Sequence, residues 1–200
     1  MKRIVCLMPE EPLPENTLHL KLVLLGDGRV GKTSIRKKYL GLGFPTEYLE
    51  TLGADFSIKT TKFHNLDLRY QIWDIAGQPR FNQIRKSFYM GAQAALILYD
   101  VSERKSLSSL TNWIDELYNS NGKGTNIPIV VIANKIDLRK DIDCVSTVEG
   151  ENTLNKIKEN YKVNSSIKFL ETSAKTGENV NKAFDLITSL FLEMHDIPIE

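Results

Sequence analysis

LHLKLVLLGDGRVGKTS, residues 18–34, decides how this chain is read. Leu18–Leu25 is an apolar-rich run of strand length. It passes directly into Gly26-Asp27-Gly28-Arg29-Val30-Gly31-Lys32-Thr33, a GxxxxGK[ST] pattern in the strand-to-helix setting that the pattern requires. Glycines let the backbone curl so that its N–H groups point inward at a chain of phosphates, and a helix starting near Lys32 adds the positive end of its dipole. Lys32 supplies a point charge to the terminal phosphates. Thr33 places a small hydroxyl where Mg²⁺, a hard cation that prefers oxygen, can be ligated. Asp27, Gly28, Arg29, Val30, Gly31 and Ser34 complete the candidate phosphate-binding set. Alone, the pattern leaves open a Gly-rich turn with an incidental lysine. It also does not separate adenine from guanine, because such a loop inspects only phosphates.

Outward from this stretch, apolar runs bounded by turn residues recur at 94–99, 127–133 and 167–170, with helix-period segments between them. That alternation predicts a parallel α/β sheet. Residues 106–118 set Leu107, Leu110, Ile114 and Leu117 on one helical face, and Val180, Ala183, Phe184, Ile187 and Leu190 do the same near the C-terminus. Both helices should cover the sheet. ADFSIKTTKF and LDLRYQIW flank His64-Asn65 and read as a hairpin, which adds one antiparallel edge strand. With no internal repeat or linker, the economical division is an N-terminal extension over 1–17, one domain over 18–194 and a short tail over 195–200.

Composition sets bounds on function. Two hundred residues with 42% hydrophobic and 26% charged content suit one globular domain with a full core. Twenty-six basic residues against twenty-five acidic give a net charge of +1, so no whole-chain field draws the protein to nucleic acid. Cys6 and Cys144 form no CxxC and fit reduced thiols better than a disulfide or zinc site. His19, His64 and His195 lack ligand-like spacing. The Pro- and Glu-rich leader has too short an apolar run for a signal peptide, and no stretch reaches the roughly 18 apolar residues of a membrane span.

The base is read elsewhere. Asn134-Lys135-Ile136-Asp137 follows the run IPIVVIA, at the carboxyl end of an expected strand, where open α/β sheets bind ligands. A carboxylate such as Asp137 accepts two hydrogen bonds from guanine N1–H and its exocyclic amine, a donor pair that adenine lacks. Leaving such a carboxylate unpaired penalises the wrong base. Taken alone, NKxD can equally be a polar helix start.

With Ser173-Ala174-Lys175 after the last expected strand and Asp74-Ile75-Ala76-Gly77-Gln78 earlier, the set resembles the Ras superfamily of small GTPases over about residues 18–191. WDIAGQPRF, FYMGA and LGADF after Thr51 are most similar to the Rab branch. The resemblance implies a three-layer P-loop NTPase fold, with a six-stranded mostly parallel sheet and helices on both faces. It makes 18–194 a G domain that binds GTP or GDP with Mg²⁺. It implies that Asp74 reaches Mg²⁺ through water, that the Gly77 N–H meets the γ-phosphate, that Thr51 closes onto Mg²⁺, and that Gln78 orients the attacking water. Phe44 matches the aromatic on the guanine edge, Tyr48 the switch aromatic and Ala174 the N–H donor to guanine O6. Lys135 and Lys175 match the side chains that flank the base, and Asn134, Leu138 and Ser173 fall within the same base-binding set.

The implied reaction is in-line attack of water on the γ-phosphate, with Lys32, Mg²⁺ and backbone donors stabilising the developing charge. Loss of the γ-phosphate releases loops around Thr51 and Gly77, which partners read. Expected partners are effector proteins, a GTPase-activating protein and an exchange factor, acting on a cytoplasmic monomer that is peripheral at a membrane through those partners. Phe56, Trp73 and Phe88 match the aromatic trio through which Rab proteins meet effectors, and equally suit an ordinary core. Four departures stand out. Arg29 replaces a small residue, Pro79 the usual Glu and Ile75 the usual Thr, and no CaaX box, terminal Cys pair or myristoylation signal is present. A GTP-binding scaffold without turnover remains open through Arg29 and Pro79. A P-loop ATPase or nucleoside kinase should lack the guanine-reading signals.

Overall fold

The computed structural model describes residues 14, 17–45, 49–121, 127–161 and 166–199. Of the expected leader, only Pro14 and Thr17 fall within this set, and Cys6 lies outside it.

Six strands form one sheet in the order β2-β3-β1-β4-β5-β6. They are β1 (Leu18–Leu25), β2 (Ala54–Phe63), β3 (Leu66–Ile75), β4 (Ala94–Asp100), β5 (Ile129–Asn134) and β6 (Ile167–Thr172). All neighbours pair in parallel except β2 and β3, the hairpin expected at His64-Asn65, where His64 takes a φ of 52°. Around the sheet run α1 (Lys32–Tyr39), α2 (Asn82–Tyr89), α3 (Arg104–Ser108), α4 (Leu110–Ser120), α5 (Thr147–Tyr161) and α6 (Val180–Met194). From β1 the chain passes through α1 to the β2–β3 hairpin on one side, and β4 lies on the other, so the loop after β1 opens at the point where the strand order reverses. That is the ligand crevice of open α/β sheets.

Because β1 is buried on both faces, alternate residues feed two cores. Leu20, Leu22 and Leu24 pack with α1 and α6, while Val23 and Leu25 face the core under α4 and α5. The apolar face expected on α6 is buried throughout, with Phe184 stacked on Tyr39 at 3.5 Å between ring centres. The Tyr70 hydroxyl meets Thr188 Oγ1 at 2.5 Å beside that pair.

Several boundaries differ from expectation, two of them for a local chemical reason. The single helix over 106–118 is divided at Ser109, whose hydroxyl donates to the Lys105 carbonyl (3.1 Å) and to Asp27 (2.9 Å). Such back-bonding bends a helix. The strand expected from 127 starts at Ile129, because Pro128 has no N–H for the ladder. Leu110, Ile114 and Leu117 are fully buried as expected.

Phe184→Ala should lower the free energy of unfolding by about 3–5 kcal/mol, the usual cost of an emptied aromatic core site, as read by urea denaturation.

Candidate functional site

The loop between β1 and α1 floors a cleft of about 1240 Å³. Gly31 closes this loop at φ 102°, and a Cβ there would stand 2.2 Å from Asn134 Nδ2, so only glycine fits. Lys32 folds back along the loop, its ammonium donating to the carbonyls of Gly26 (2.6 Å) and Asp27 (2.7 Å). Burial pulls its pKa down to about 8, with Asp74 and Asp27 opposing the fall. An ammonium so poorly solvated gains strongly from an arriving anion. Gly28, Arg29, Gly31, Thr33 and Ser34 line the cleft with it. Two other loop residues turn away. Val30 joins the core, and the Asp27 carboxylate accepts from Ser109 Oγ and from Trp113 Nε1 (2.7 Å).

The three expected cation ligands converge. Thr33 Oγ1 donates to Asp74 Oδ2 at 2.5 Å and lies 3.1 Å from Thr51 Oγ1. Asp74 is fully buried, its Oδ1 has no hydrogen-bond partner, and burial raises its pKa. Two hydroxyls and a carboxylate with an orphaned oxygen are the donor set of a hard divalent cation, so the residues present fit Mg²⁺. Beside them is Arg36, which the motifs did not reveal. Its Nε is 3.8 Å from Asp74 Oδ2, and its other nitrogens hold Asp55 and Ser57 Oγ (2.7 Å). Helical spacing was the available signal, since Arg36 stands four residues after Lys32 and three after Thr33.

At the other end of the cleft, Asn134 ties three segments together. Its Nδ2 donates to the Val30 carbonyl (2.8 Å), and its Oδ1 accepts from Thr172 Oγ1 (3.0 Å) and the Ala174 N–H (3.2 Å). Asp137 accepts from Ser173 Oγ at 2.5 Å, which fixes a carboxylate that lines the cleft. The Lys135 ammonium is held by Asp100 at 2.6 Å. Leu138, Ala174, Lys175 and a half-exposed Phe44 complete this wall, while Ser173 is buried behind it.

Gly77 and Gln78 close the third side. A Cβ on Gly77 would stand 2.4 Å from the Gly26 carbonyl oxygen, so this turn rests directly on the phosphate loop. Gln78 lies against Gly28, and its buried Oε1 has no hydrogen-bond partner. Pro79 starts a 3₁₀ turn, Pro79–Phe81, as its fixed φ suits. Buried Arg85 then grips the segment, donating to the Gln78 carbonyl (3.1 Å) and bidentately to Glu116 (3.0 and 2.8 Å). Tyr48 lies outside the described residues.

The sequence profile of the Ras family matches residues 21–193. The chain belongs to the Ras family. It is 40% identical over 170 residues to Ras-related protein RABG3f of Arabidopsis thaliana, covering 84% of this chain and 80% of that one. Ras-related protein Rab7 of Pisum sativum is 39% identical over 174 residues, with 84% and 80% covered. Ras-related protein Rab-8B of Homo sapiens is 36% identical over 181 residues, with 88% and 82% covered. As a member of the Ras family the chain is a GTPase that binds guanine nucleotides.

This Ras-family chain keeps the resemblance to Rab in its aromatic run. Trp73 lies 4.9 Å from Phe56 and 5.6 Å from Phe88 between ring centres. Phe56 is partly exposed, while Trp73 and Phe88 pack on the core. Arg29 adopts a left-handed φ of 69° on the exposed rim.

Asn134→Ala should speed GDP release about ten- to a hundredfold, because it orphans several buried polar groups at once. Displacement of a fluorescent GDP analogue measures this.

Proposed function

We propose that this chain is a Mg²⁺-dependent guanine-nucleotide switch of the Rab type, with a G domain over 18–194, whose loops around Thr51 and Gly77 are read by effectors. The observation that carries the reading is the convergence of Thr33, Thr51 and Asp74 beside Lys32. These residues come from three separate segments of sequence. Thr33, Thr51 and, through water, Asp74 would hold Mg²⁺, which supplies charge neutralisation at the phosphates. Lys32 binds the phosphate chain and Asp137 reads guanine, with Ser173 fixing its orientation. Gln78 orients water, and the Arg85 bond to its carbonyl steadies its backbone. Gly77 presents its N–H to the γ-phosphate from a position that leaves no room for a side chain.

Hydrolysis removes the ligand that Gly77 and Thr51 gather around, and the two loops then part from the cation site. The exposed edge of β2, with Phe56, Leu49 and Leu52 presented nearby, is the surface such a change would alter. Effectors would bind there, with an activating protein and an exchange factor meeting the same loops. Pro79 gives an exchange factor no carboxylate to grip at that position. Among the described residues no helix is long and apolar enough to cross a membrane, so a Rab-like trafficking role would rest on peripheral attachment.

Single-turnover assays test the reading. GTP but not ATP should be hydrolysed, at about 10⁻⁴ to 10⁻³ s⁻¹ without an added activator. Gln78→Leu should slow turnover with affinity kept, and Asp137→Ala should weaken nucleotide binding. Tight GTP binding without any turnover would instead make the chain a scaffold.

A further inference from the structure

The register of the hairpin places Asp55 directly opposite Asp74. Like charges facing each other across an antiparallel pair repel, and here one of the two is fully buried. Arg36 resolves the conflict. Its guanidinium pairs with Asp55, donates to Ser57 Oγ at 2.7 Å, and brings Nε to 3.8 Å from Asp74 Oδ2. The side chain is only 5% exposed, and Nε has no hydrogen-bond partner, as Asp74 Oδ1 has none. A guanidinium cannot shed its proton to escape burial, so its charge is permanent. It therefore sits as a fixed cation between the carboxylate of the candidate metal site and the first turn of the edge strand.

We propose that Arg36 is a positioning residue that acts as a resident cation of the metal site, holding Asp74 and the start of β2 in place when the divalent ion leaves. This rests on the Mg²⁺-dependent nucleotide reading above. In a site without such a residue, withdrawing Mg²⁺ leaves a buried carboxylate uncompensated, and the surrounding segments must open to hydrate it. Here the guanidinium, 3.8 Å away, already offsets part of the Asp74 charge and ties β2 to α1 through Asp55 and Ser57. Nucleotide release is consequently less sensitive to Mg²⁺ withdrawal. Arg36 also couples the cation site to the β2 edge, because one side chain holds Asp74 beneath and Asp55 at the rim.

The test is release of a fluorescent GDP analogue from purified protein, with excess Mg²⁺ and after EDTA, expressed as the ratio of the two rates. Arg36→Met keeps the aliphatic stem and should raise that ratio about tenfold, the scale of one lost charge-assisted contact. Arg36→Lys should recover part of the wild-type ratio. The double variant Arg36→Met with Asp55→Asn removes the like-charge pair and should show the same raised ratio should the single variant fail to fold. A merely structural role would speed release equally with and without Mg²⁺ and leave the ratio unmoved, which overturns the proposal. A lysine variant no better than methionine overturns it too. Wild-type protein that binds no guanine nucleotide would instead defeat the underlying reading.

Discussion

The carboxamide of Asn134 is the tie on which the cleft depends. One donor and one acceptor, both buried, join the loop after β1 to the ends of β5 and β6. Neither atom can be lost cheaply, since each would leave a buried group unsatisfied. Gly31 makes the tie possible by yielding the space that a Cβ would take from Nδ2. The Lys32 and Asp137 ends of the cleft are thereby tied to each other, and the parallel ladders of β1, β4 and β5 run beneath both.

Charge organises the rest. Lys32, Arg36 and Asp74 are all buried within one small region, which is costly unless each is paired. Lys32 is satisfied by two backbone carbonyls, Asp74 by Thr33 and the nearby guanidinium, and Arg36 by Asp55 and Ser57. Two atoms of this network stay without a hydrogen-bond partner, Arg36 Nε and Asp74 Oδ1. On the function proposed above, a cation would be taken at Asp74 Oδ1 and an anion above Lys32.

Much of this was legible from sequence because the phosphate loop and the guanine-reading motifs lie at strand ends, where periodicity and turn chemistry are clearest. Leu18–Leu25 has the boundaries that the apolar run gave it. The apolar reading of β6 stopped at Leu170, yet Glu171 and Thr172 continue the strand; their polar side chains serve Arg139 and Asn134. Hydrophobic periodicity cannot see such residues. The motifs missed Arg36 and Arg85 for a related reason. Their partners Asp55, Asp74 and Glu116 are distant in sequence, and only the β2–β3 register and the α2–α4 packing bring them together. Asn134 belonged to a recognised motif, but its part as a brace emerged only from the three-dimensional arrangement.

Both tryptophans of the chain stand beside the segments that govern the cleft. Trp113 donates its indole N–H to Asp27 of the phosphate loop while Arg85, which holds the Gln78 carbonyl, lies 4.4 Å over its ring. Trp73 sits in the aromatic run with Lys21 at 5.0 Å from its ring. Any displacement of the loop or of the Gln78 segment alters the polar surroundings of the Trp113 indole and hence its emission. The molecule thus carries a native optical reporter for the site, one that needs no label, and replacing either indole with phenylalanine separates movement at the loop after β1 from movement at the β2–β3 edge.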